Sequence, residues 1–324
     1  MSGDAAVSVA GLRMRYGTAD VLHRVDLRVG HGETVALLGP NGAGKTTAIE
    51  ILEGFRTRSA GDVTVLGTDP AHGDERWRAR VGVVLQSWRD HGKWRVRELL
   101  AHLGSYYACL GRTPWDAGEL TDAVGLGGQG GQKIRTLSGG QRRRLDVAIG
   151  IVGRPDLLFL DEPTTGFDPQ ARRGFHDLVD GLRTAGTTVL VTTHDLHEAE
   201  RLADRIVILD AGRVIADGTP AELARRIAGA DRVRWRHRGR PRVHATDDST
   251  AFVRDLFARH GAEIAELEVH RASLEQTYLA LVHAAEVAAG GPASGPGGRG
   301  GPGGPGGTGG PATRSGGPAE GAVR

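Results

Sequence analysis

The sequence predicts an α/β fold: a mostly parallel β-sheet covered by helices. Three observations predict it. The runs ETVALLG (33–39), DLLFLDEP (156–163) and TTVLVTTH (187–194) are short, apolar and continuous, as buried strands are. The first continues as a helix, TTAIEILEGF, and the third is preceded by the amphipathic stretch ARRGFHDLVDGLRTAG. Strands that alternate with helices imply parallel pairing, because each return to the sheet needs a crossover.

The elements follow in chain order. VSVAGLRMRYG and VLHRVDLRVG alternate apolar with polar residues, which predicts antiparallel strands near the start. The strand signal then disappears between Leu85 and Val152, where RVRELLAHLGSYYACL and DAGELTDAVGL read as helices. A helical subdomain is therefore expected as an insertion at about 87–152. DRIVILDAGRVIADG (204–218) reads as a hairpin turning at Asp210–Gly212.

A small α+β module is expected at 220–289, after a main domain at 1–219. AELARRIAG opens it as a helix; DRVRWRHR (strand), STAFVRDLFARHG (helix) and AEIAELEVH (strand) follow. SLEQTYLALVHAAEV closes it as a helix, with Ser273 and Gln276 at capping-box spacing and Leu274, Tyr278 and Leu281 on one face. Residues 290–324 are glycine and proline with little else. They lack the apolar groups that offset chain entropy, so disorder is expected. Glycine there keeps no strict third-residue period, which excludes collagen.

Composition narrows the class. At 324 residues the chain can bury one large core or two smaller ones. A formal net charge of +2 gives no bulk attraction to nucleic acid or membrane, so such a partner would need a local patch. The single cysteine, Cys109, excludes an internal disulfide and fits a reducing compartment. The start carries no signal-segment pattern, and no apolar run reaches the roughly 18 residues that a membrane span needs. Membrane work would require another chain to supply the spans.

The chemistry begins at Gly39. Gly39-Pro40-Asn41-Gly42-Ala43-Gly44-Lys45-Thr46 fits G-x-x-x-x-G-K-T between a strand and a helix, with Thr47 next. Glycines let backbone N–H groups turn inward around phosphates, and the helix start adds a favourable dipole end. Lys45 is expected to reach the terminal phosphates, and Thr46 to offer its hydroxyl to Mg²⁺. Asp161 and Glu162 end an apolar strand. Side chains alternate along a strand, so Asp161 is expected to face the metal and Glu162 to point elsewhere, as general base for the attacking water. His194 ends TTVLVTTH and is a candidate to hydrogen-bond the γ-phosphate and orient that water. Gln86 ends VGVVLQ and is a candidate to sense Mg²⁺ or the water. Tyr16 is a candidate to stack on a base. A second glycine-rich helix start, Ser138-Gly139-Gly140-Gln141, offers a second anion site in the same chain.

Taken together, the phosphate loop, LSGGQ, LLFLDEP, TGFDP and TTVLVTTH resemble, in order and spacing, the ATP-binding cassette (ABC) ATPases. The likeness spans about residues 7–218. It implies a P-loop NTPase cassette: a RecA-like parallel core, an antiparallel β subdomain and an inserted helical subdomain. It implies ATP and Mg²⁺ as ligands, Gln86 as the Q-loop glutamine and Tyr16 as the adenine-stacking aromatic. It further implies that Ser138, Gly139, Gly140 and Gln141 serve the γ-phosphate of ATP held by an opposite subunit. One phosphate loop and one signature per chain then imply a head-to-tail homodimer.

The closing ASLEQTYLALV resembles that of daunorubicin-resistance-type exporter ATPases. That implies a separate integral-membrane permease, a location on the cytoplasmic side of the membrane, and no nucleic-acid partner. Phe167 stands in TGFDP where leucine is usual, a conservative packing change. Trp88, Arg89, Lys93 and Trp94 offer either a permease contact or a solvated loop with one tryptophan packed inward. Arg232, Arg234, Arg236, Arg238, Arg240 and Arg242 recur at every second position and would line one face of a strand. They read either as a patch for nucleic acid or acidic lipid, or as a strand edge blunted by charge. The alternatives to drug export are a non-transport cassette ATPase acting on ribosomes or nucleic acid, and a lipid or polysaccharide exporter subunit.

Overall fold

The computed structural model describes residues 5–84, 91–228 and 231–270. Strands β1 (Ala5–Tyr16) and β2 (Ala19–Gly30) pair antiparallel. β3 (Thr34–Leu38) runs through the glycine loop into helix α1 (Lys45–Leu52), and β4 (Ala60–Val65) returns to the other edge of β1. Helix α2 (Glu75–Arg78) and strand β5 (Val81–Val84) follow. The chain then becomes helical through α3 (Val96–Cys109), α4 (Ala117–Ala123) and α5 (Gly139–Ile151). It resumes alternation with β6 (Leu157–Asp161), α6 (Pro169–Thr184), β7 (Thr188–Thr193), α7 (Leu196–Leu202) and the hairpin β8 (Arg205–Asp210) to β9 (Arg213–Gly218). Last come α8 (Pro220–Ala228), β10 (Asp231–His237), β11 (Arg240–Thr246), α9 (Ser249–His260) and β12 (Ile264–His270).

These strands make three sheets. The central sheet has the order β5-β6-β7-β3-β8-β9 and is parallel except at β8–β9. Two antiparallel sheets flank it in sequence, β2-β1-β4 and β11-β10-β12. The apolar runs are continuous because both faces of the central sheet are covered. Leu157 and Phe159 of β6, with Val35 and Leu37 of β3, join the core shared with β1, β2, β4 and α1. Their neighbours Leu158, Leu160, Ala36 and Leu38 turn to the opposite core, shared with helices α3 to α7. Phe159 is fully buried, which contributes about 1.5–3 kcal/mol relative to exposure.

Local sequence sets the helix boundaries. Asp168 caps α6 by accepting from the N–H groups of Gln170 (2.9 Å) and Ala171 (2.8 Å), with Pro169 in the first turn, where no N–H is needed. Phe175, Val179 and Leu182 then form its buried stripe. Phe167 packs edge-to-face on Phe175 with ring centroids 6.0 Å apart, so an aromatic fits where leucine is usual.

Three strands lie beyond the sequence reading, β4, β5 and β11. β11 is an edge strand with Pro241 inside it, exposed along nearly its whole length, so it shows no apolar alternation. Its discovery corrects the arginine row. The chain turns back at Arg238 and Gly239, both at positive φ (52° and 75°), as a two-residue hairpin requires. Arg240 lies opposite His237, and Arg242 opposite Trp235, so both occupy the face away from Arg232, Arg234 and Arg236. Six arginines therefore never share one face. Gln86, Trp88, Arg89, the closing helix read at 273–287 and the tail 290–324 lie outside the described residues.

Candidate functional site

The strand order puts β6, β7 and β3 side by side. Their carboxyl ends open at one edge, the position where open α/β sheets bind ligands. The loop from Gly39 to Gly44 leaves β3 there. Its turn closes through Ala43 N–H to Pro40 O (3.2 Å), and Gly212 N–H anchors it at Ala43 O (3.0 Å). Gly44 caps α1 at φ 99° and has no side chain with which to fill the helix's first-turn N–H groups. A Cβ at Gly39 would fall onto Leu209 O. These glycines are therefore fixed by close backbone approach, and the loop stays wrapped around the helix start.

Lys45 is buried at that start. Its Nζ donates to Gly39 O (2.7 Å) and Pro40 O (3.0 Å). Burial pushes the ammonium pKa down, while the Glu162 and Asp161 carboxylates oppose the shift. The charged centre of the loop is thus within the field of both acids. Asn41, Gly42 and Thr46 are exposed, and Thr47 is half-buried.

Asp161 is the last residue of β6. Thr192 Oγ1 of β7 donates to its Oδ1, and the side chain is buried. Glu162 does not continue the strand. Its φ is 44°, left-handed, and its N–H donates to Thr192 O (3.1 Å). A left-handed turn therefore follows Asp161 directly. Glu162 Oε1 lies 3.1 Å from His194 Nδ1, just past the end of β7. Thr165 Oγ1 donates to Glu162 Oε2 at 3.5 Å.

Arg143, absent from the sequence reading as a site residue, ties this turn to α5. Its buried guanidinium donates to Pro163 O (2.9 Å), Asp161 O (3.0 Å) and Glu162 O (3.2 Å). Burial lowers its pKa. From the other side Thr164 Oγ1 donates to buried Glu198 of α7 at 2.7 Å. One arginine among three in QRRRL carries no signal of its own; its role appears only when the helix crosses the turn.

Ser138 caps α5 in a reciprocal box. Its Oγ accepts from Gln141 N–H (3.3 Å), and its own N–H donates to Gln141 Oε1 (2.9 Å). Gln141 is thus engaged within the chain through its Oε1. A Cβ at Gly139 or Gly140 would meet no atom within 4 Å among the described residues. Tyr16 ends β1 and is 40% exposed. The Arg56 guanidinium sits 5.1 Å from its ring centroid and pairs with Glu50 of α1 at 2.6 Å. Tyr16 therefore stands beside the helix that the glycine loop opens. Gln86 lies outside the described residues.

Comparison with known proteins gives the same picture. Residues 22–165 match the family described as ABC transporter. Daunorubicin resistance ATP-binding protein DrrA3 of Streptomyces coeruleorubidus is 43% identical over 233 residues, 71% of this chain and 73% of that one. Daunorubicin/doxorubicin resistance ATP-binding protein DrrA of Streptomyces peucetius is 37% identical over 306 residues, 85% of this chain and 92% of that one. Nod factor export ATP-binding protein I of Ralstonia nicotianae is 42% identical over 227 residues, 69% of this chain and 70% of that one. Among solved structures, an ATP-binding subunit of an ABC transporter superposes with a TM-score of 0.63 at 25% identity, over 85% of this chain and 99% of that one. A dimeric ATP-binding cassette in a post-hydrolysis state, bound to ADP and Pi, shares the fold: TM-score 0.59 at 24% identity, over 66% of this chain and 98% of that one.

Proposed function

This chain belongs to the ABC transporter family, as an ATP-binding subunit that hydrolyses ATP, and we propose that it drives export of a small, drug-like molecule through a separate permease. The proposal assigns residues 1–219 to the nucleotide-binding domain, 220–289 to an accessory module and 290–324 to a tail. Among the described residues no helix is long and apolar enough to cross a membrane. A permease would hold the chain at the cytoplasmic face of the membrane.

The geometry above supports the following roles. The Gly39–Gly44 loop and the start of α1 cradle the phosphates of ATP, and Lys45 exchanges its carbonyl partners for phosphate oxygens. Tyr16 supplies an exposed ring for the base. Thr46 and Asp161 are hard oxygen donors that suit Mg²⁺, which would neutralise developing charge on the phosphates. Gln86 is assigned beside them. Glu162 takes a proton from water as that water's oxygen attacks the γ-phosphorus, and the bridging oxygen leaves with ADP. His194 holds the Glu162 carboxylate in place.

One observation carries the dimer: a second glycine-rich helix start, where a Cβ on Gly139 or Gly140 would meet no atom within 4 Å among the described residues. Close approach from outside explains them, and a γ-phosphate held by a second copy supplies it. Hydrolysis then removes the cross-subunit contact and lets the halves part. The rival reading, an ATPase acting on ribosomes or nucleic acid, drew on six arginines in a row, and the hairpin divides that row.

The experiment has two arms. With ATP and Mg²⁺ the purified chain should double its mass in light scattering and turn over cooperatively, while Ser138→Arg should stay monomeric and inactive. A strictly monomeric active species, or cooperative turnover by Ser138→Arg, overturns the dimer. Co-expression with the permease should make efflux of a candidate compound depend on Lys45. Efflux unchanged in Lys45→Ala overturns export.

A further inference from the structure

We propose that His237, His260 and Glu263 form a binding site for a divalent transition metal of the zinc kind, at one end of the C-terminal antiparallel sheet. The site lies apart from the nucleotide loop and does not depend on the export reading.

The fold brings the three residues together from three directions. His237 is the last residue of β10, and its partner across the ladder is Ile264, the first residue of β12. That register puts Glu263, one residue earlier, beside the histidine. His260 is the last residue of α9. The helix is seated on the sheet by Phe252, whose ring lies 5.6 Å from Trp235 and 4.2 Å from His244. Each ligand therefore sits at the end of a regular element, which limits its movement.

The distances suit a metal. One donor atom from each residue lies within 4.8 Å of the other two. The rings of His237 and His260 stand 4.4 Å apart, and His237 Nε2 is 2.9 Å from Glu263 Oε2. A tetrahedral zinc with bonds of about 2.0–2.1 Å needs ligand atoms about 3.3 Å apart. Modest side-chain rotations would close the set on an ion. Two imidazoles and one carboxylate make a three-ligand zinc set, with water in the fourth position.

Arg238 supports the set from behind. Its Nε donates to Glu263 Oε2 (2.9 Å) and its Nη2 to Oε1 (2.8 Å). It fixes the carboxylate plane, as outer partners of metal ligands do. An ion pair alone would account for Glu263, His237 and Arg238. It would not account for His260, whose ring joins the group without serving that pair.

The test uses the full chain, stripped by chelator and free of nucleotide. Zn²⁺ is titrated against a competing chromophoric chelator, and Co²⁺ is added separately to read its visible ligand-field bands. The expected result is one Zn²⁺ per chain, a four-coordinate Co²⁺ spectrum, and affinity lowered at least tenfold in His260→Ala. That variant leaves the Glu263–Arg238 pair untouched. Glu263→Gln should behave likewise, and it replaces His260→Ala should that chain not fold. No wild-type binding at tens of micromolar Zn²⁺ overturns the site. So does wild-type affinity in a folded His260→Ala or Glu263→Gln chain, because the ion then sits elsewhere.

Discussion

Glu162 Oε1 and His194 Nδ1 stand 3.1 Å apart at the carboxyl ends of neighbouring parallel strands. Neither residue belongs to its strand. β6 ends at Asp161 and β7 at Thr193, so each side chain leaves from the first residue beyond a rigid element. The contact needs Glu162 at φ 44°, a conformation that costs about 1–2 kcal/mol in a residue with a Cβ. Arg143, Thr192 and Thr164 hold the surrounding turn and keep it there.

Glu162→Gln keeps the shape of the side chain and removes its basicity. ATP binding should persist while kcat falls about 10²–10⁴-fold, the usual loss when a general base is removed. The ATP-bound dimer should accumulate. Single-turnover hydrolysis measures the step directly, and wild-type turnover would take Glu162 out of the mechanism.

His194→Ala should lower kcat about 10²-fold or more with nucleotide affinity changed only a few-fold, because a positioned partner in the reacting geometry is lost. Nδ1 of His194 meets Glu162 Oε1 at 3.1 Å, so the proposed role of His194 is to act mainly through Glu162. The double variant His194→Ala with Glu162→Gln should be scarcely slower than Glu162→Gln alone. Full multiplication of the two losses would mean that the residues act separately.

Arg143→Ala should leave three turn carbonyls without their cationic donor. Bonds to charged groups contribute about 1.5–3 kcal/mol each and are not additive, so a loss of a few kcal/mol is expected. Chemical denaturation should show it. Turnover should fall as well, because the turn carries Asp161 and Glu162. A variant with full stability and full kcat would mean that the turn holds itself.

Much of this site was legible because its residues are local in sequence. The glycine loop, the capped start of α5 and the apolar strand before Asp161 each announce themselves within about ten residues. What depends on distant segments was not. Arg143 lies 18 to 20 residues from the carbonyls it holds. The left-handed turn at Glu162 has no signature, since glutamate rarely adopts it. β11 was hidden because an exposed edge strand needs no apolar face, and this one carries a proline. The pair Arg238–Gly239 was its one available sign, a turn of hairpin length inside the arginine row.

Gly44→Ala should damage the loop itself. At φ 99° any side chain is strained, and the new methyl would stand 2.7 Å from Leu22 Cδ2 and 3.2 Å from Val21 O. Overpacking of this kind costs about 1–3 kcal/mol. ATP affinity should fall at least about tenfold, since each 1.4 kcal/mol is a factor of ten. Unchanged nucleotide affinity by titration calorimetry would show that the loop does not need this glycine.

Glu53 gives a pH signature independent of catalysis. It caps the carboxyl end of α1, is 6% exposed, and its Oε2 finds no hydrogen-bond partner among the described residues. Burial first, then the charges of Asp161 and Glu50, push its pKa from 4.5 up to about 8. Above pH 4.5 the unfolded chain releases this proton while the folded chain keeps it. Stability is therefore full below that point, declines between pH 4.5 and about 8, and levels off beyond. At about 1.4 kcal/mol per pH unit, the decline is on the order of a few kcal/mol. Asp146, pushed up to about 6 by burial, slopes the same way, so the comparison must isolate Glu53. Glu53→Gln stays neutral at every pH. Urea unfolding should find the two chains similar near pH 5 and the variant more stable near pH 8. Asp161→Asn in the wild-type background should shift the decline to lower pH, because one of the charges raising the Glu53 pKa is gone. A gap between Glu53→Gln and wild type that stays constant across this range would mean that Glu53 ionises freely in the folded chain, and that its contact with the field of Asp161 has no thermodynamic weight.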